Sequence, residues 1–415
     1  MAADGPNDAR AAAELAARVS YGRLLAIVAR RTRDIAAAED ALSEAFRAAL
    51  ETWPVRGVPA NPDAWLVTAA RRQAGHAVRH DKVAQAAVAA IDLLHAEAQE
   101  RADTSLPDER LKLMFICAHP AIDASIRTPL MLQTVLGLDA VRIARAFLVA
   151  PATMGQRLAR AKAKIRDAGM AFQNPDRTEL PERLEAVLSA IYAAYGTGWE
   201  DALGADAKIA DLSGEALFLV RLIVGLLPDE PEARGLLALI LYCEARRPAR
   251  RAGGRFVPLA EQDARLWSTG SIIAAEGELV SAARSGVFGR FQTEAAIQSV
   301  HCQRALTGVT NWQALATLYD LLAVRAPAIG NLIARAAVHG ERDGPAAGLA
   351  LLDALPREEI AAYQPYWATR ASLLSKTGDF TGAAAAYANA IGLTQDVAVR
   401  AFLASRKAAA ASLAQ

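Results

Sequence analysis

Aromatic residues make up only 6% of this 415-residue chain, and cysteine occurs three times. Cys117, Cys243 and Cys302 are odd in number, far apart, and lack CxxC spacing or histidines at metal-like intervals. That pattern excludes a disulfide framework or a zinc site built on them and predicts buried free thiols. Also missing is any stretch of about 18 uncharged apolar residues. The greasiest run, residues 226–244, is broken by Pro228, Asp229, Glu230 and Arg234, so no membrane span is expected. The opening MAADGPNDAR has no basic segment followed by an apolar core, so no secretory signal is expected and the cytoplasm is the expected location. No P-loop, GxSxG or HExxH pattern occurs, and the six histidines are scattered. Neither an enzyme nor a cofactor or metal requirement is expected. The isolated Asp343-Gly344 is an ordinary turn pair.

What remains is 53% hydrophobic and rich in Ala, Leu and Arg, residues that lose little on entering a helix. An all-α protein is expected, and the length calls for two to four domains. The net charge of +1 hides an uneven distribution. Residues 1–172 hold 23 Lys and Arg against 19 Asp and Glu, leaving 23 against 26 for the rest. The bias concentrates at residues 151–172, where Arg157, Arg160, Lys162, Lys164 and Arg166 face only Asp167.

Hydrophobic spacing divides the chain further. Ala38, Leu42, Ala45, Phe46 and Ala49 mark the inner face of a helix expected to end before Trp53-Pro54. After a Pro- and Gly-marked loop, a second helix from residue 63 to about residue 80 buries Leu66, Ala70, Ala74, Ala77 and Val78. It shows Thr68, Arg72, Gly75, His76 and Arg79 on the other side. Residues 81–105 have weaker periodicity and are expected to connect two helical modules. Short helices follow to residue 172, ending in a helix–connection–helix unit whose last helix opens on Pro151, where a missing N–H costs nothing. There Met154, Leu158, Ala161 and Ile165 form one face. Thr153, Gln156, Arg157, Arg160 and Lys164 form the other, with the donors needed to read a major groove. The polar segment 173–181 is expected to separate this half from a helical remainder. That remainder is interrupted by the basic run 246–255, expected as a solvated loop, and carries an internal repeat in which residues 335–355 match 371–391 at an offset of 36.

These segments resemble sigma-70-like factors of the extracytoplasmic-function type, in the group with a C-terminal TPR-like domain. AAAEDALSEAFRAALETWP (36–54) looks like the helix that docks on the polymerase β′ clamp, and VPANPDAWLVTAARRQAGH (58–76) like the loop and helix that capture and melt the −10 element. ARAFLVAPATMGQRLARAKAKIRDAG (144–169) resembles the −35-reading helix-turn-helix, while residues 237–267 and 341–355 are similar to the accessory domain of that sigma group. The resemblance implies sigma region 2 at 1–82, a linker at 83–105 and region 4 at 106–172. A helical accessory domain at 182–310 and TPR-like repeats at 311–415 complete the plan.

The same resemblance implies partners and roles. RNA polymerase core, through its β′ clamp and β flap, would be bound by Glu39, Asp40, Ser43, Glu44 and Arg47. The −10 element would be bound by Arg56, Asn61, Trp65, Arg71, Arg72 and Arg79, and the −35 element by Thr153, Gln156, Arg157, Arg160 and Lys164. The TPR-like domain would take a protein or peptide partner and regulate initiation, and the chain would sit on the nucleoid through polymerase. Two departures bear on promoter preference: Ser43 stands where relatives commonly have Gln, and Gln73-Ala74-Gly75-His76 stands where Ala-Ile-Asp is usual. A conventional helix-turn-helix regulator with a partner-binding repeat domain is the rival reading. It explains 144–169 but leaves 36–76 without a purpose.

Overall fold

A computed structural model of the chain describes residues 6–79, 109–147, 149–170, 178–201 and 211–414, with 172 and 175 between; at some helix ends, 75–79 among them, only the backbone is described. The expected connector at 83–105 lies outside these residues. The fold is all-α, relieved among the described residues by one hairpin of two-residue strands. Two compact units divide the chain, Met1–Gly198 and Trp199–Gln415. No helix among the described residues is long and apolar enough to cross a membrane.

The first unit opens with α1 (Pro6–Val19), α2 (Tyr21–Thr32), α3 (Ile35–Arg56) and α4 (Pro62–Arg79). Asp34 caps α3, its Oδ1 accepting from the Ala36 and Ala37 amides at 2.9 and 3.2 Å. Ala38, Leu42, Ala45 and Ala49 are buried, as their spacing predicts, with Phe46 half-buried beside them. Helix α3 does not stop before Trp53-Pro54. Pro54 forfeits a single ladder donor, buried Trp53 anchors the last turn, and Gly57 at φ +82° closes it by donating to the Trp53 carbonyl at 2.9 Å.

Then come α5 (Arg110–Cys117), α6 (Ala124–Leu136), α7 (Ala140–Ala146), α8 (Pro151–Asp167) and α9 (Leu180–Asp201). Helices α2 and α6 touch through backbone. A Cβ on Gly22 would lie 1.8 Å from the Val135 carbonyl oxygen, so only glycine permits the approach. The polar segment 173–181 does not end this unit as its composition predicts. Helix α9 carries an apolar stripe, Leu184, Val187, Leu188 and Ile191, that is buried. Thr128 Oγ1 donates to the Ala190 carbonyl at 3.1 Å and Arg183 Nη2 to the Phe115 carbonyl at 2.9 Å, tying that helix to α6 and α5.

In the second unit α10 (Asp211–Leu226) leads to α11 (Pro231–Arg246), which is buried nearly all round and packs on α12 (Thr269–Ala283) and α13 (Arg290–Cys302). Glu232 caps α13 from across the interface, accepting from the Phe291 and Gln292 amides at 2.8 and 3.2 Å. The run 246–255 is not the solvated loop its charge predicts. It folds into strands β1 (Arg251–Ala252) and β2 (Arg255–Phe256) around Gly253 and Gly254, both at positive φ. Buried Arg246 bonds Gln298, Arg247 Nη2 donates to Ser213 Oγ at 2.8 Å, and Arg251 meets Asp396 at 2.7 Å. Most of these arginines are structural ties.

The remaining helices, α14 (Trp312–Arg325), α15 (Ile329–Arg342), α16 (Pro345–Asp353), α17 (Gln364–Thr377), α18 (Phe380–Gly392) and α19 (Val397–Leu413), pack chiefly on their sequence neighbours. The repeat is present as two helix pairs, but in packing terms its offset is 35. Buried Gly348 and Leu352 correspond to buried Ala383 and Tyr387, and the second helices begin at Pro345 and Phe380. Asp379 caps α18, whereas Asp343, its match at an offset of 36, pairs with His339 and Arg342. One residue of slip therefore changes an aspartate from a cap into an ion-pair partner.

Candidate nucleic-acid interface

Helix α8 follows α7 after a connection in which the Phe147 amide donates to the Ile143 carbonyl at 3.1 Å and the Val149 amide to the Ala144 carbonyl at 2.9 Å. Its inner stripe, Met154, Leu158, Ala161 and Ile165, is buried. Thr153, Gln156, Arg157, Arg160 and Lys164 are all exposed. Among the described residues, Arg157, Arg160 and Lys164 have no ion-pair or hydrogen-bond partner, so three cations stand on one open helix face beside two neutral hydrogen-bonding groups.

Lys162 behaves differently. It is buried, and its Nζ donates to Glu39 Oε2 at 2.6 Å and to Gln133 Oε1 at 3.0 Å. Arg166 adds a longer pair to Asp34 at 3.8 Å. Thus α8 is held against α3 by its inner edge while its basic face stays open. Nothing in the local pattern marks Lys162 apart from the four other cations of this helix, because its partner lies 123 residues away.

On α3, the residues expected to meet polymerase divide into two groups. Asp40, Ser43, Glu44 and Arg47 are exposed, with Arg47 bridging Glu44 at 2.8 Å and Glu51 at 2.6 Å. Glu39 is half-buried beneath Lys162. Burial raises its carboxyl pKa, against the lowering hydrogen bond and charge of Lys162.

The residues expected at a melted strand are spread along α4 and its entrance. Arg56 and Asn61 are exposed, but Asn61 also caps the helix, its Oδ1 accepting from the Ala64 amide at 3.1 Å. Trp65 is half-buried, edge-on to buried Trp53 with ring centroids 5.5 Å apart. Arg71 and Arg72 are exposed about two turns further along. The Arg79 side chain lies outside the described residues, as do those of His76 and His80. Cys117 is sealed between α5 and α6, where burial pushes its thiol up to about 12 despite a hydrogen bond with Thr134. No group of three or more His, Cys, Asp and Glu among the described residues has the arrangement of a metal site.

Residues 18–83, the segment holding α2, α3 and α4, match the family described as Sigma-70 region 2. The chain carries a sigma-70 region 2. Its region 2 therefore supplies the exposed face of α3 and the arginines of α4. Residues 183–283 match a family of unknown function, DUF6596, which begins within α9 and ends with α12. An uncharacterized protein of Rhizobium meliloti (strain 1021) is 36% identical over 378 residues, covering 89% of this chain and 89% of its own length. No solved structure matches.

Proposed function

We propose that this chain is an alternative sigma factor of the extracytoplasmic-function type, which binds core RNA polymerase and directs promoter-specific initiation. The region 2 match over residues 18–83 carries the reading. In it, α3 docks on polymerase through Asp40, Ser43, Glu44 and Arg47, and α4 with its entrance loop holds the separated −10 strand. Unstacked bases need aromatic and cationic supports, and Trp65, Arg71 and Arg72 are of that kind. The unit α7–α8 acts as a helix-turn-helix on the −35 element, with Arg157 and Arg160 suited to guanine and Gln156 to adenine. The second unit, with its TPR-like helix pairs, takes a protein or peptide partner and regulates initiation.

The test is transcription from a genomic DNA library with purified chain and bacterial core polymerase. Transcripts that share two upstream elements are expected. DNA binding without any new start site would instead favour the conventional regulator. The regulatory part is tested by ending the chain at Asp201, which keeps all of α9 with the first unit, where most of it lies. A change in transcript yield in either direction assigns the second unit a role in initiation, and an unchanged yield removes it.

A further inference from the structure

Between α2, α4 and the start of α5 lies a cleft of about 210 Å³ lined by Ile27, Arg30, Arg31, Arg71 and Glu109. Three guanidiniums thus face one carboxylate. That carboxylate is already committed: Glu109 is 4% exposed and meets Arg30 at 2.6 Å and Lys112 at 2.5 Å. Arg31 and Arg71 have no hydrogen-bond or ion-pair partner among the described residues. They lie close enough that the charge of Arg31 adds to burial in lowering the pKa of Arg71. Two like charges held together beside a buried apolar floor, Ile27, repel one another, and a bound anion relieves that repulsion.

We infer that this cleft is a binding site for a single phosphate group, gripped by Arg31 and Arg71 with Arg30 beside them. Guanidinium forks match phosphate oxygens in pairs, which an ammonium does not. The volume lies below the roughly 300–1,000 Å³ of pockets that enclose drug-sized ligands, so the cleft takes a phosphate and leaves any attached sugar or base outside. The phosphate comes either from the backbone of a nucleic-acid strand lying on α4 or from free phosphate. The first source rests on the reading of α4 given above, and the second does not.

The full chain and its Arg31→Gln and Arg31→Lys variants are titrated with inorganic phosphate and, separately, with a single-stranded oligonucleotide over a range of salt. Thermal melts confirm that each variant is folded. Phosphate affinity is expected to fall about tenfold in Arg31→Gln, the effect of one charge-assisted contact, and less in Arg31→Lys. If the source is a strand backbone, the slope of log affinity against log salt shrinks by about 0.7 in Arg31→Gln. If it is free phosphate, only the inorganic arm responds. Should Arg31→Gln alter neither arm, the site does not exist. Transcription with core polymerase is scored independently, so failure of the sigma reading and failure of this site are separately visible.

Discussion

Arginine is put to two opposite uses, and one set of arginines in each unit shows the contrast. In the first, Arg31, Arg71, Arg72, Arg157 and Arg160 have no ion-pair or hydrogen-bond partner among the described residues. In the second, Arg246, Arg251, Arg335 and Arg370 are bound to Gln298, Asp396, Asp320 and Asp353. Arg304 also donates to two carbonyls, at 2.7 and 2.9 Å. A cation without a partner keeps its hydrogen-bonding capacity for a ligand, whereas one spent on internal acceptors orders the fold. Local density of basic residues does not distinguish the two uses. The run 246–255 is as basic as α8, yet it contributes mostly ties.

The comparison breaks most visibly at Lys162, the cation of α8 that has crossed to structural use. Lys162→Met leaves half-buried Glu39 unpaired, and a loss of about 2–3 kcal/mol, below the range for a fully buried pair, is expected in denaturant unfolding of the first unit. Adding Glu39→Gln should return much of that loss. If the single variant unfolds like the parent, the pair is not holding α8 to α3. Next in size is Arg246→Ala, which strands the Gln298 amide oxygen in the second unit. About 2–3 kcal/mol of stability should disappear, with DNA affinity unmoved in a filter-binding assay.

Arg157→Ala sharpens the other side of the contrast. Its stability should stay within about 0.5 kcal/mol of the parent, while −35 affinity drops about tenfold and the salt slope shrinks. A stability loss with intact affinity would make Arg157 a structural residue. A further effect concerns pH. Burial, with Arg246 and Arg304 nearby, lowers His301 to about 3 from an ordinary 6.5. Its unfolded form takes up a proton below 6.5 while the folded form does not, so stability is present above that pH and declines as pH falls towards 3. The slope is at most about 1.4 kcal/mol per pH unit. Melts of His301→Gln between pH 7 and 4.5 should lack this component, and an identical pH profile would count against it.

Helices were the most legible feature. The α8 stripe and its opposite face lie where three- and four-residue spacing places them, because that signal depends only on side chains one turn apart. Helix ends were less legible. Trp53-Pro54 reads as a stop, yet burial of Trp53 carries α3 on to Arg56. Asn61 reads as a candidate contact, and the structure also employs it as a cap. The cleft at Arg31 and Arg71 escaped the sequence reading, since it joins three elements and only Arg71 stood out as a candidate.

By itself, the sequence determined the all-α class, the faces of α3 and α8, and the expectation that all three cysteines are free thiols, as they are, although Cys243 is half-buried where burial was expected. These follow from periodicity and residue chemistry, which act over a few residues. Only the tertiary structure decided that α9 joins the first unit, that the basic run folds into a hairpin, and that Glu39 and Lys162 belong together. Those outcomes depend on which distant groups meet out of water, where an unpaired charge or donor is costly and a partner removes the cost. The sequence supplies each of those groups, but their meeting is a property of the packed chain.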